Sequence, residues 1–519
     1  MSHRRGSIRY LRPGDPASRL DADRRGRDLA AIQRDHEVDV VVIGGGVTGV
    51  GVALDAATRG LDVVLLERHD LAFGTSRFSS KLVHGGLRYL ASGDVGIAWE
   101  SAVERARIGA VIAPHLVRPM QQVIPVYAGG WRAAALVRTG YLAADALRLA
   151  ARTPSELLRR ARTVGASETL RLAPAIRSKG LVGALVGYDL QLVDDARLVV
   201  ALARTAAAYG ARVLTGMDVL EATPQGVVEY RDEATGERGR LQARHVVNAT
   251  GVWAADLDAS IALRPSRGTH IVLASELLGG SDVSLTIQVG LGRAVFTLPQ
   301  ADGLTYVGLT DEPQAGPIPD VAEPSEADIR WILGVLNGAL ERPIDRADVL
   351  GAFAGLRPLL ASGSDAERGT ADLSRRHAVH VDGRLVTVSG GKLTTYRRMA
   401  QDVVDTLTDR PCVTGRTALV GVGPVASSDV PQLLVARYGS EAPLVMSMAE
   451  QASDLADKVA PDVGVLGVEL AFGVEWEGAR TADDLLERRT RLSMVPAHAE
   501  AARPLATRLV DAARPAPLC

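Results

Sequence analysis

The amino-acid sequence predicts an α/β fold in which a parallel, nucleotide-binding sheet is combined with an antiparallel domain and a helical C-terminal region. A β-branched run over 38–43 is followed by a glycine-rich turn and then by a helical pattern. Short alternating strand patterns take over between 268 and 354. Beyond Pro411 the segments are mostly helical and are joined by prolines. These three observations indicate at least two kinds of domain.

Composition restricts the partners of this chain. Its 519 residues are 47% hydrophobic, enough for a large core and for two to four domains at about 150 residues each. The 59 Lys+Arg against 61 Asp+Glu leave no basic excess for phosphates along a duplex, so we expect no nucleic-acid partner. The two cysteines, Cys412 and Cys519, have neither disulfide nor metal-ligand spacing and fit a reducing cytoplasm.

The sequence predicts neither a membrane-spanning segment nor a signal peptide. No window of about 18 apolar residues lacks charge. Residues 1–37 carry many arginines and acids without an apolar run, so we expect a flexible N-terminal arm.

The first element is a strand, turn and helix that predict a Rossmann-like dinucleotide site. Gly44 permits the tight turn, Gly46 lets the backbone approach a pyrophosphate, and Gly49 lets helix and strand pack closely. The next strand pattern, 62–66, ends at Glu67, where a carboxylate would accept hydrogen bonds from a ribose. Because a carboxylate there disfavours a 2′-phosphate, the nucleotide is expected to be FAD or NAD rather than NADP.

The following segment, 75–90, is dense in hydroxyls, glycines and cations and indicates a functional loop. Two helices are predicted after it, over 93–113 and 131–151. The second helix interleaves arginines with apolar residues and could rest on a membrane surface. Packing on the core with arginines that reach to solvent is the interpretation that we favour.

Further segments return the chain to the nucleotide site. Asp194 and Asp195 are expected to cap a helix over 196–209, and a strand over 212–215 leads to Val219, whose backbone could meet an adenine. A short strand over 245–247 ends in a second glycine-containing turn that includes Ala249 and Gly251. Near the end of this region Gly390 and Gly391 precede a helix over 392–406.

One complete Gly-x-Gly-x-x-Gly pattern is present in the sequence. The pairs at 290/292 and 421/423 lack the third glycine and the following helix. If the first site holds FAD, its electrons must leave to an acceptor other than NAD(P).

Several blocks of the sequence together resemble the FAD-dependent glycerol-3-phosphate dehydrogenases. The blocks lie at 39–51, 75–89 (with Ser-Ser-Lys-Leu-Val-His-Gly-Gly-Leu-Arg-Tyr), 194–198, 248–251, 355–358 (Gly-Leu-Arg-Pro) and 390–396 (Gly-Gly-Lys-Leu-Thr-Thr-Tyr). The resemblance implies a fold of the D-amino-acid/glycine oxidase type, with a Rossmann-like FAD-binding domain, an antiparallel β substrate domain and a helical C-terminal cap. We expect the FAD domain at 38–90, 190–262 and 376–410, the substrate domain with a helical insert at 91–189 and 263–375, and the cap at 411–519.

The resemblance also implies an activity and its partners. The family oxidises sn-glycerol 3-phosphate to dihydroxyacetone phosphate by hydride transfer to FAD and passes the electrons to a membrane quinone. The enzyme is then expected in the cytoplasm, peripheral on the inner face of the cytoplasmic membrane, and a homodimer is suggested.

Candidate site residues follow from the same resemblance. Arg88, Arg357 and Arg375 would surround the substrate phosphate, with forked guanidinium groups suited to its oxygens. His270 would take the hydroxyl proton, and Tyr89 and Thr310 would hydrogen-bond the substrate. Lys392 begins a helix whose amides stabilise charge on the flavin, and its ammonium could polarise the substrate oxygen or raise the flavin potential. The residues expected along the cofactor are Thr75, Ser79, Ser80, Lys81, His84, Gly86, Gly391, Leu393 and Thr394. They add to the cofactor residues already named, which are Gly44, Gly46, Gly49, Glu67, Val219, Ala249 and Gly251.

Three alternatives stay open at this point. A glycerol-3-phosphate oxidase would run the same half-reaction with dioxygen as acceptor. An FAD-dependent amine or 2-hydroxyacid oxidoreductase would share the fold without needing three arginines for a phosphate. A flavin-binding regulatory or tRNA-modifying protein would bind FAD and ignore glycerol phosphate.

Overall fold

Two large β-sheets and a helical C-terminal region make up the structure, a computed structural model that describes residues 8–86, 94–129, 131–290, 293–361, 376–427 and 429–513. The strands are β1 Glu37–Ile43, β2 Val63–Glu67, β3 Leu82–Val83, β4 Val117–Tyr127, β5 Arg162–Gly165, β6 Leu181–Leu192, β7 Arg212–Thr215, β8 Met217–Ala222, β9 Val227–Asp232, β10 Arg238–Asn248, β11 Ser266–Ala274, β12 Ser284–Gly290, β13 Arg293–Pro299, β14 Leu304–Gly308, β15 Glu312–Pro313, β16 Gly351–Arg357, β17 His377–Asp382 and β18 Leu385–Gly390.

The α-helices connect and cover these sheets. They are α1 Ala22–Arg34, α2 Val47–Thr58, α3 Val95–Arg107, α4 Trp131–Ala150, α5 Ala166–Leu172, α6 Asp195–Ala208, α7 Ala254–Leu257, α8 Glu326–Ala339, α9 Tyr396–Val404, α10 Gln432–Tyr438, α11 Ala442–Ser447, α12 Gly467–Trp476 and α13 Pro496–Ala513. Short 3-10 turns join several of them.

The first sheet has the order β17-β18-β10-β1-β2-β7, and β8 and β9 extend it through β10. The strands β18, β10, β1, β2 and β7 are parallel neighbours, so their carboxyl ends meet at one edge. Helices α2, α6 and α9 cover one face, and α1 packs on the other. Because both faces are covered, the central strands are almost continuously apolar rather than alternating.

The second sheet has the order β15-β11-β14-β13-β12-β4-β6-β3, with β16 beside β11 and β5 beside β6. It is antiparallel except where β12 runs parallel to β4. Side chains alternate along β11, so Ile271 and Leu273 pack against α8, whereas His270 and Val272 point to the opposite face. This alternation turns one histidine of β11 towards the first sheet's glycine-rich edge.

The C-terminal helices pack on α6 through buried ion pairs. Arg197 binds Glu477 at 2.7 Å and Arg204 binds Glu441 at 2.6 Å. These arginines lie on a helix whose other residues are almost all apolar and buried. The predicted helix at 196–209 is therefore also the contact surface for the C-terminal region.

The N-terminal segment corrects the expectation of a flexible arm, since residues 22–34 form α1. Asp21 caps this helix by accepting a hydrogen bond from the backbone N–H of Arg24 at 2.7 Å. Ile32 is fully buried, and Arg25 forms an ion pair with the buried Asp232 at 3.0 Å. Arg24 binds the backbone carbonyl of Ala207 on α6, and Arg25 binds the carbonyl of Thr215 and the carboxylate of Asp232 in the first sheet.

No helix of the described residues is long and apolar enough to cross a membrane. The helix expected over 131–151 is α4, which packs against α3 and β6.

Replacing Glu441 by Gln is expected to destabilise the folded protein by about 3–5 kcal/mol. The buried guanidinium of Arg204 would then lack a counter-charge in a low-dielectric environment. Urea-induced unfolding measures the change. The control, Asp454→Asn, breaks the exposed pair with Arg508 and is expected to leave the urea midpoint almost unchanged. Equal losses in the two variants would contradict the role assigned to the buried pair.

Candidate active site

A cavity of about 1900 Å³ lies between the two sheets. It begins at the carboxyl ends of β1 and β2, passes the turn after β10 and reaches the inner face of the second sheet. Its volume exceeds that of an ordinary small-molecule pocket, roughly 300–1,000 Å³. A dinucleotide and a second small molecule can therefore share it.

The glycine-rich turn after β1 forms one end of the cavity. Gly44 has φ +108°, and a Cβ at this position would lie 2.7 Å from the carbonyl oxygen of Ala249. A Cβ at Gly49 would lie 2.0 Å from the carbonyl oxygen of Gly44. Gly46 is the N-cap of α2, and Gly46, Val47 and Thr48 at the start of this helix line the cavity. The N–H of Val47 donates to the hydroxyl of Ser76 at 2.9 Å. This arrangement suits a pyrophosphate.

Glu67 ends β2 beside that turn and is buried. Its carboxylate accepts hydrogen bonds from the backbone N–H groups of Gly45 at 2.5 Å and His69 at 2.8 Å. Burial raises the pKa of Glu67, although the two amide bonds act in the opposite direction. The carboxylate is thereby held at the cavity wall, in the place expected for a ribose contact.

A second glycine turn and Lys392 form the opposite wall. Gly390 and Gly391 have φ +77° and +80° and lead into a 3-10 turn, Leu393–Thr395, that precedes α9. The ammonium of Lys392 donates to the hydroxyl of the buried Ser101 on α3 at 2.7 Å. Lys392 thus places the positive charge of its ammonium group at the cavity wall, and the neutral hydroxyl of Ser101 accepts a hydrogen bond from that group.

His270 lies in the middle of the cavity wall and is only 1% exposed. Its Nε2 is 3.0 Å from the hydroxyl oxygen of Ser80, and its ring stacks on Phe353 at 4.9 Å. Nδ1 has no hydrogen-bond partner within the described part of the chain. Burial, and then the positive charges of Lys81 and Arg357, lower the pKa of His270 well below its ordinary value of 6.5. The imidazole is therefore neutral near pH 7 and able to accept a proton.

Arg357 ends β16 close to His270 and is held by a small polar network. Its guanidinium binds the carboxylate of Asp311 at 2.9 Å, the hydroxyl of Ser266 at 3.1 Å and the carbonyl of Thr310 at 3.2 Å. The Thr310 hydroxyl accepts a hydrogen bond from the N–H of Thr269 at 3.0 Å. Arg357 and Thr310 both line the cavity.

Lys81 does not line the cavity, contrary to our expectation of a position along the flavin ring. Its side chain is fully buried and turns away to form an ion pair with Asp195 at 3.0 Å. Asp195 also accepts hydrogen bonds from Ser79, whereas Asp194 caps α6 as predicted. A cation in an apolar interior needs a counter-charge, which the cavity wall does not offer at this point.

Most of the predicted site residues meet in this one cavity. The lining includes Gly44, Gly46, Glu67, Thr75, Ser79, Ser80, His84, Val219, Ala249, Gly251, His270, Thr310, Arg357, Gly391, Lys392, Leu393 and Thr394. Gly49 and Gly86 lie behind the lining. Arg88, Tyr89 and Arg375 fall outside the described residues. Arg376, the neighbour considered with Arg375, is exposed and pairs with Asp94.

Several residues of the site were not predicted as such. Asp311 and Ser266 orient Arg357, and Ser101 holds Lys392. Phe353 is the cross-strand neighbour of His270 and supplies its stacking partner. Of these residues, Asp311 could have been found from the sequence, because it directly follows the predicted site residue Thr310.

One part of the cavity, the second lobe, is lined by residues of α4, β4 and β12. It is bounded by Gln122 and Ile124 on β4, by Thr286 and Val289 on β12, and by Tyr141 on α4. The lining of the cavity as a whole is mainly apolar, and the second lobe is part of the same cavity. It provides space beyond that needed for a nucleotide and a small polar substrate.

The residues present fit FAD. Glycine backbones and a helix N-terminus face the cavity where a pyrophosphate would lie, and the Glu67 carboxylate stands beside them. Gly391, Leu393 and Thr394 line the same cavity as Ser79 and Ser80. A neutral imidazole and two cations are then available beside the reacting end of such a cofactor.

Comparison with known proteins agrees with this geometry. The family described as FAD dependent oxidoreductase matches residues 39–397, and the C-terminal domain of alpha-glycerophosphate oxidase matches residues 384–514. Glycerol-3-phosphate dehydrogenase 1 of Mycobacterium tuberculosis (strain ATCC 25618 / H37Rv) is 48% identical over 494 residues, which cover 92% of this chain and 95% of that protein. The mitochondrial glycerol-3-phosphate dehydrogenase of Macaca fascicularis is 34% identical, with 97% and 74% covered.

Solved structures extend the comparison to the fold. The glycerol-3-phosphate dehydrogenase from Bacillus halodurans complexed with FAD has a TM-score of 0.71 at 26% identity and covers 93% of each chain. Glycine oxidase from Geobacillus kaustophilus has a TM-score of 0.55 at 19% identity and covers 73% of this chain and 96% of its own. The predicted fold type and the FAD cofactor are confirmed.

Replacing Gly49 by Ala is expected to abolish most FAD binding. The added methyl group would collide with the Gly44 carbonyl and push α2 away from β1, which would displace the turn that faces the pyrophosphate. The ratio of flavin to protein absorbance of the purified variant measures the loss. The control is Gly96→Ala on α3, where a Cβ meets nothing within 4 Å. A Gly49→Ala protein with full flavin content would show that this contact is dispensable.

Proposed function

The chain belongs to the FAD-dependent glycerol-3-phosphate dehydrogenase family, and from this premise we propose that it oxidises sn-glycerol 3-phosphate to dihydroxyacetone phosphate and delivers the electrons to a membrane quinone. The observation that carries the proposal is that the buried imidazole of His270 lines the same cavity as Arg357 and the residues that fit FAD. The groups proposed for proton removal, phosphate binding and nucleotide binding thus line the same cavity.

The substrate's phosphate is assigned to Arg357. A guanidinium presents parallel N–H donors to phosphate oxygens, and its orientation here is fixed by Asp311 and Ser266 before a ligand arrives. Arg88, Tyr89 and Arg375 are proposed to complete this subsite on the basis of the family resemblance. Thr310, fixed through Thr269, is proposed to hydrogen-bond a substrate oxygen.

His270 is proposed to take the hydroxyl proton as the C2–H bond breaks. An imidazole that is neutral near pH 7 is poised for this role, and burial behind Ser80 shields it from bulk water. When bound, FAD supplies the hydride acceptor. Lys392, held by Ser101, is proposed to stabilise negative charge that develops on the substrate oxygen or along the flavin edge.

Two features support a quinone as the acceptor. The sequence has one dinucleotide pattern, so it offers no second site of that type for a pyridine nucleotide. The second lobe belongs to a cavity whose lining is mainly apolar, and we propose that an apolar reactant enters there. An apolar acceptor fits this lobe better than a charged one.

A peripheral position on the inner face of the cytoplasmic membrane is proposed from the outer faces of α3 and α4. Leu142 and Leu149 are seven residues apart on one side of α4 and are 64% and 55% exposed. Val95 and Trp99, one turn apart on α3, are also exposed. Arg138 is exposed on α4 and carries a charge that anionic lipid would attract.

Anaerobic addition of sn-glycerol 3-phosphate is expected to bleach the flavin band near ~450 nm. Arg357→Met should lower kcat/KM for this substrate by about 10- to 100-fold, because two charge-assisted hydrogen bonds are lost. Glycerol, which lacks the phosphate, serves as the matched substrate and should be oxidised equally slowly by both proteins. A wild-type protein that stays yellow with sn-glycerol 3-phosphate would refute the substrate assignment.

Turnover with a short-chain quinone is expected to exceed turnover with dioxygen by at least about tenfold, since the proposed apolar lobe admits the quinone to the cavity. The double variant Leu142→Glu, Leu149→Glu should lose co-sedimentation with anionic vesicles while keeping turnover with a water-soluble dye acceptor. Dioxygen as the faster acceptor would identify an oxidase instead. Unchanged vesicle binding in the double variant would exclude this face of α4 as the membrane contact.

A further inference from the structure

Lys81 is a buried cation that the proposed reaction does not use. It is one of only four lysines in the chain, its side chain is completely buried, and its backbone lies in the left-handed region with φ +56°. Strain of this kind in a residue other than glycine persists only where surrounding contacts hold it. The contacts of Lys81 therefore have to account for its buried charge and its backbone conformation.

The ammonium of Lys81 holds the turn that carries Ser79 and Ser80. Its Nζ donates to the carbonyl of Arg77 at 2.9 Å and forms an ion pair with Asp195 at 3.0 Å. The same oxygen of Asp195 accepts from the N–H of Ser79 at 3.0 Å and from its hydroxyl at 2.7 Å. One ion pair thus fixes the backbone on both sides of Ser79.

The next residue of that turn contacts the proposed base. Ser80 Oγ lies 3.0 Å from His270 Nε2. On the other side of the turn, Lys81 Nζ lies 4.9 Å from the ring centre of Phe353, and that ring stacks on His270 at 4.9 Å with an interplanar angle of 13°. The imidazole is consequently bounded by a hydroxyl on the turn that Lys81 holds and by a phenyl ring that the Lys81 ammonium approaches.

We propose that Lys81 is a positioning residue for the reaction, since together with Asp195 it holds Ser80 against His270 and its positive charge keeps the imidazole unprotonated until it takes the hydroxyl proton of the substrate. The inference rests on the proposed function in that it assigns His270 as the base. Lys81 acts through Ser80 and Phe353 and is not expected to touch substrate or FAD.

Stability does not account for the ion pair. Burying two charges costs several kcal/mol, and apolar residues of similar size often serve a protein core equally well or better. The aromatic rings of Phe353 and Tyr306 that surround the ammonium could pack against a methionine. A charge maintained in this place is better explained by its effect on the neighbouring histidine.

The charges around His270 favour its neutral form. Lys81 acts from the loop side and Arg357 from β16, and both lower the pKa of His270 in addition to burial. Asp195 on α6 faces Lys81, and Asp311 faces Arg357, so each carboxylate partly offsets the cation next to it. Two further charges lie one contact away, Asp328 on the Thr269 hydroxyl and Arg491 over the ring of Tyr306.

The sign of the expected effect follows from this arrangement. Removing the charge of Lys81 removes a repulsion that acts on protonated His270, so the pKa of His270 should rise. Because the base must be unprotonated, the acid limb of the pH profile of kcat/KM should move to higher pH. A purely structural role would lower the rate at every pH and leave the limb in place.

The test compares Lys81→Gln and Lys81→Met with the wild-type holoenzyme. Glutamine can still donate to Asp195 but carries no charge, whereas methionine removes both the charge and the hydrogen bonds. Flavin reduction by sn-glycerol 3-phosphate is followed anaerobically across pH. Both variants should move the acid limb upward by at least about half a pH unit. Methionine should in addition lower the rate on the plateau by about tenfold.

A second readout does not depend on turnover. Holoenzyme labelled with ¹³C in the histidine rings and kept without substrate is titrated by NMR, with His270→Asn to assign the signal among the ten histidines. The His270 signal should titrate at higher pH in Lys81→Gln than in the wild type. Should Lys81→Met fail to fold, Lys81→Gln and this titration decide the question.

The matched control is Arg437→Met, which breaks a buried ion pair with Glu469 in the C-terminal region. It should destabilise the protein without moving the acid limb or the His270 signal. An unchanged limb and an unchanged His270 titration in Lys81→Gln would overturn the proposal. A wild-type enzyme that is not reduced by sn-glycerol 3-phosphate would instead refute the proposed function, and the NMR titration would still test the effect of Lys81.

Discussion

The close contact between two glycine backbones is the constraint on which the site depends. Gly49 of α2 approaches the carbonyl of Gly44 more closely than any side chain would permit, and Gly44 in turn lies against Ala249. This contact brings together the ends of β1, β10 and α2. The helix amides, Glu67 and the turn after β10 consequently open on one space. The second sheet adds the reacting groups to a cofactor site whose shape is already set by backbone alone.

The nucleotide site and many of the strands could be predicted from local sequence patterns. The parallel strands, both glycine turns and the helix that Asp194 caps follow from periodicity and backbone geometry within short stretches of sequence. His270, Arg357 and Lys392 required the family resemblance, because nothing in a single strand distinguishes an active-site histidine from a packed one. The meeting of His270 and Arg357 in one cavity depends on the register that pairs β11 with β16, which local sequence does not encode.

The features that sequence reasoning missed are mostly pairs of charges distant along the chain. Lys81 and Asp195 are 114 positions apart (195 − 81), and Asp195 was interpreted only as a helix cap. The N-terminal helix was mistaken for a flexible arm because its arginines resemble those of a solvated segment. In the folded chain Arg24 binds a carbonyl of α6 and Arg25 binds Asp232, partners that only the assembled first sheet and its covering helix provide. Charge alone therefore predicts exposure poorly in a chain whose cations are nearly all arginines.

The hydrogen-bond network around Arg357 affects how readily a dianionic ligand would dissociate. Its guanidinium is already paired with Asp311, so binding a phosphate at the assigned subsite means sharing or exchanging an existing partner rather than filling a vacant one. On departure of the ligand the internal pair re-forms, and no bare cation is left in a low-dielectric wall. The free-energy difference between occupied and empty states is thereby reduced. A subsite of this kind binds the phosphate less tightly and exchanges it faster. This suits a reaction whose substrate and product carry the same phosphate group.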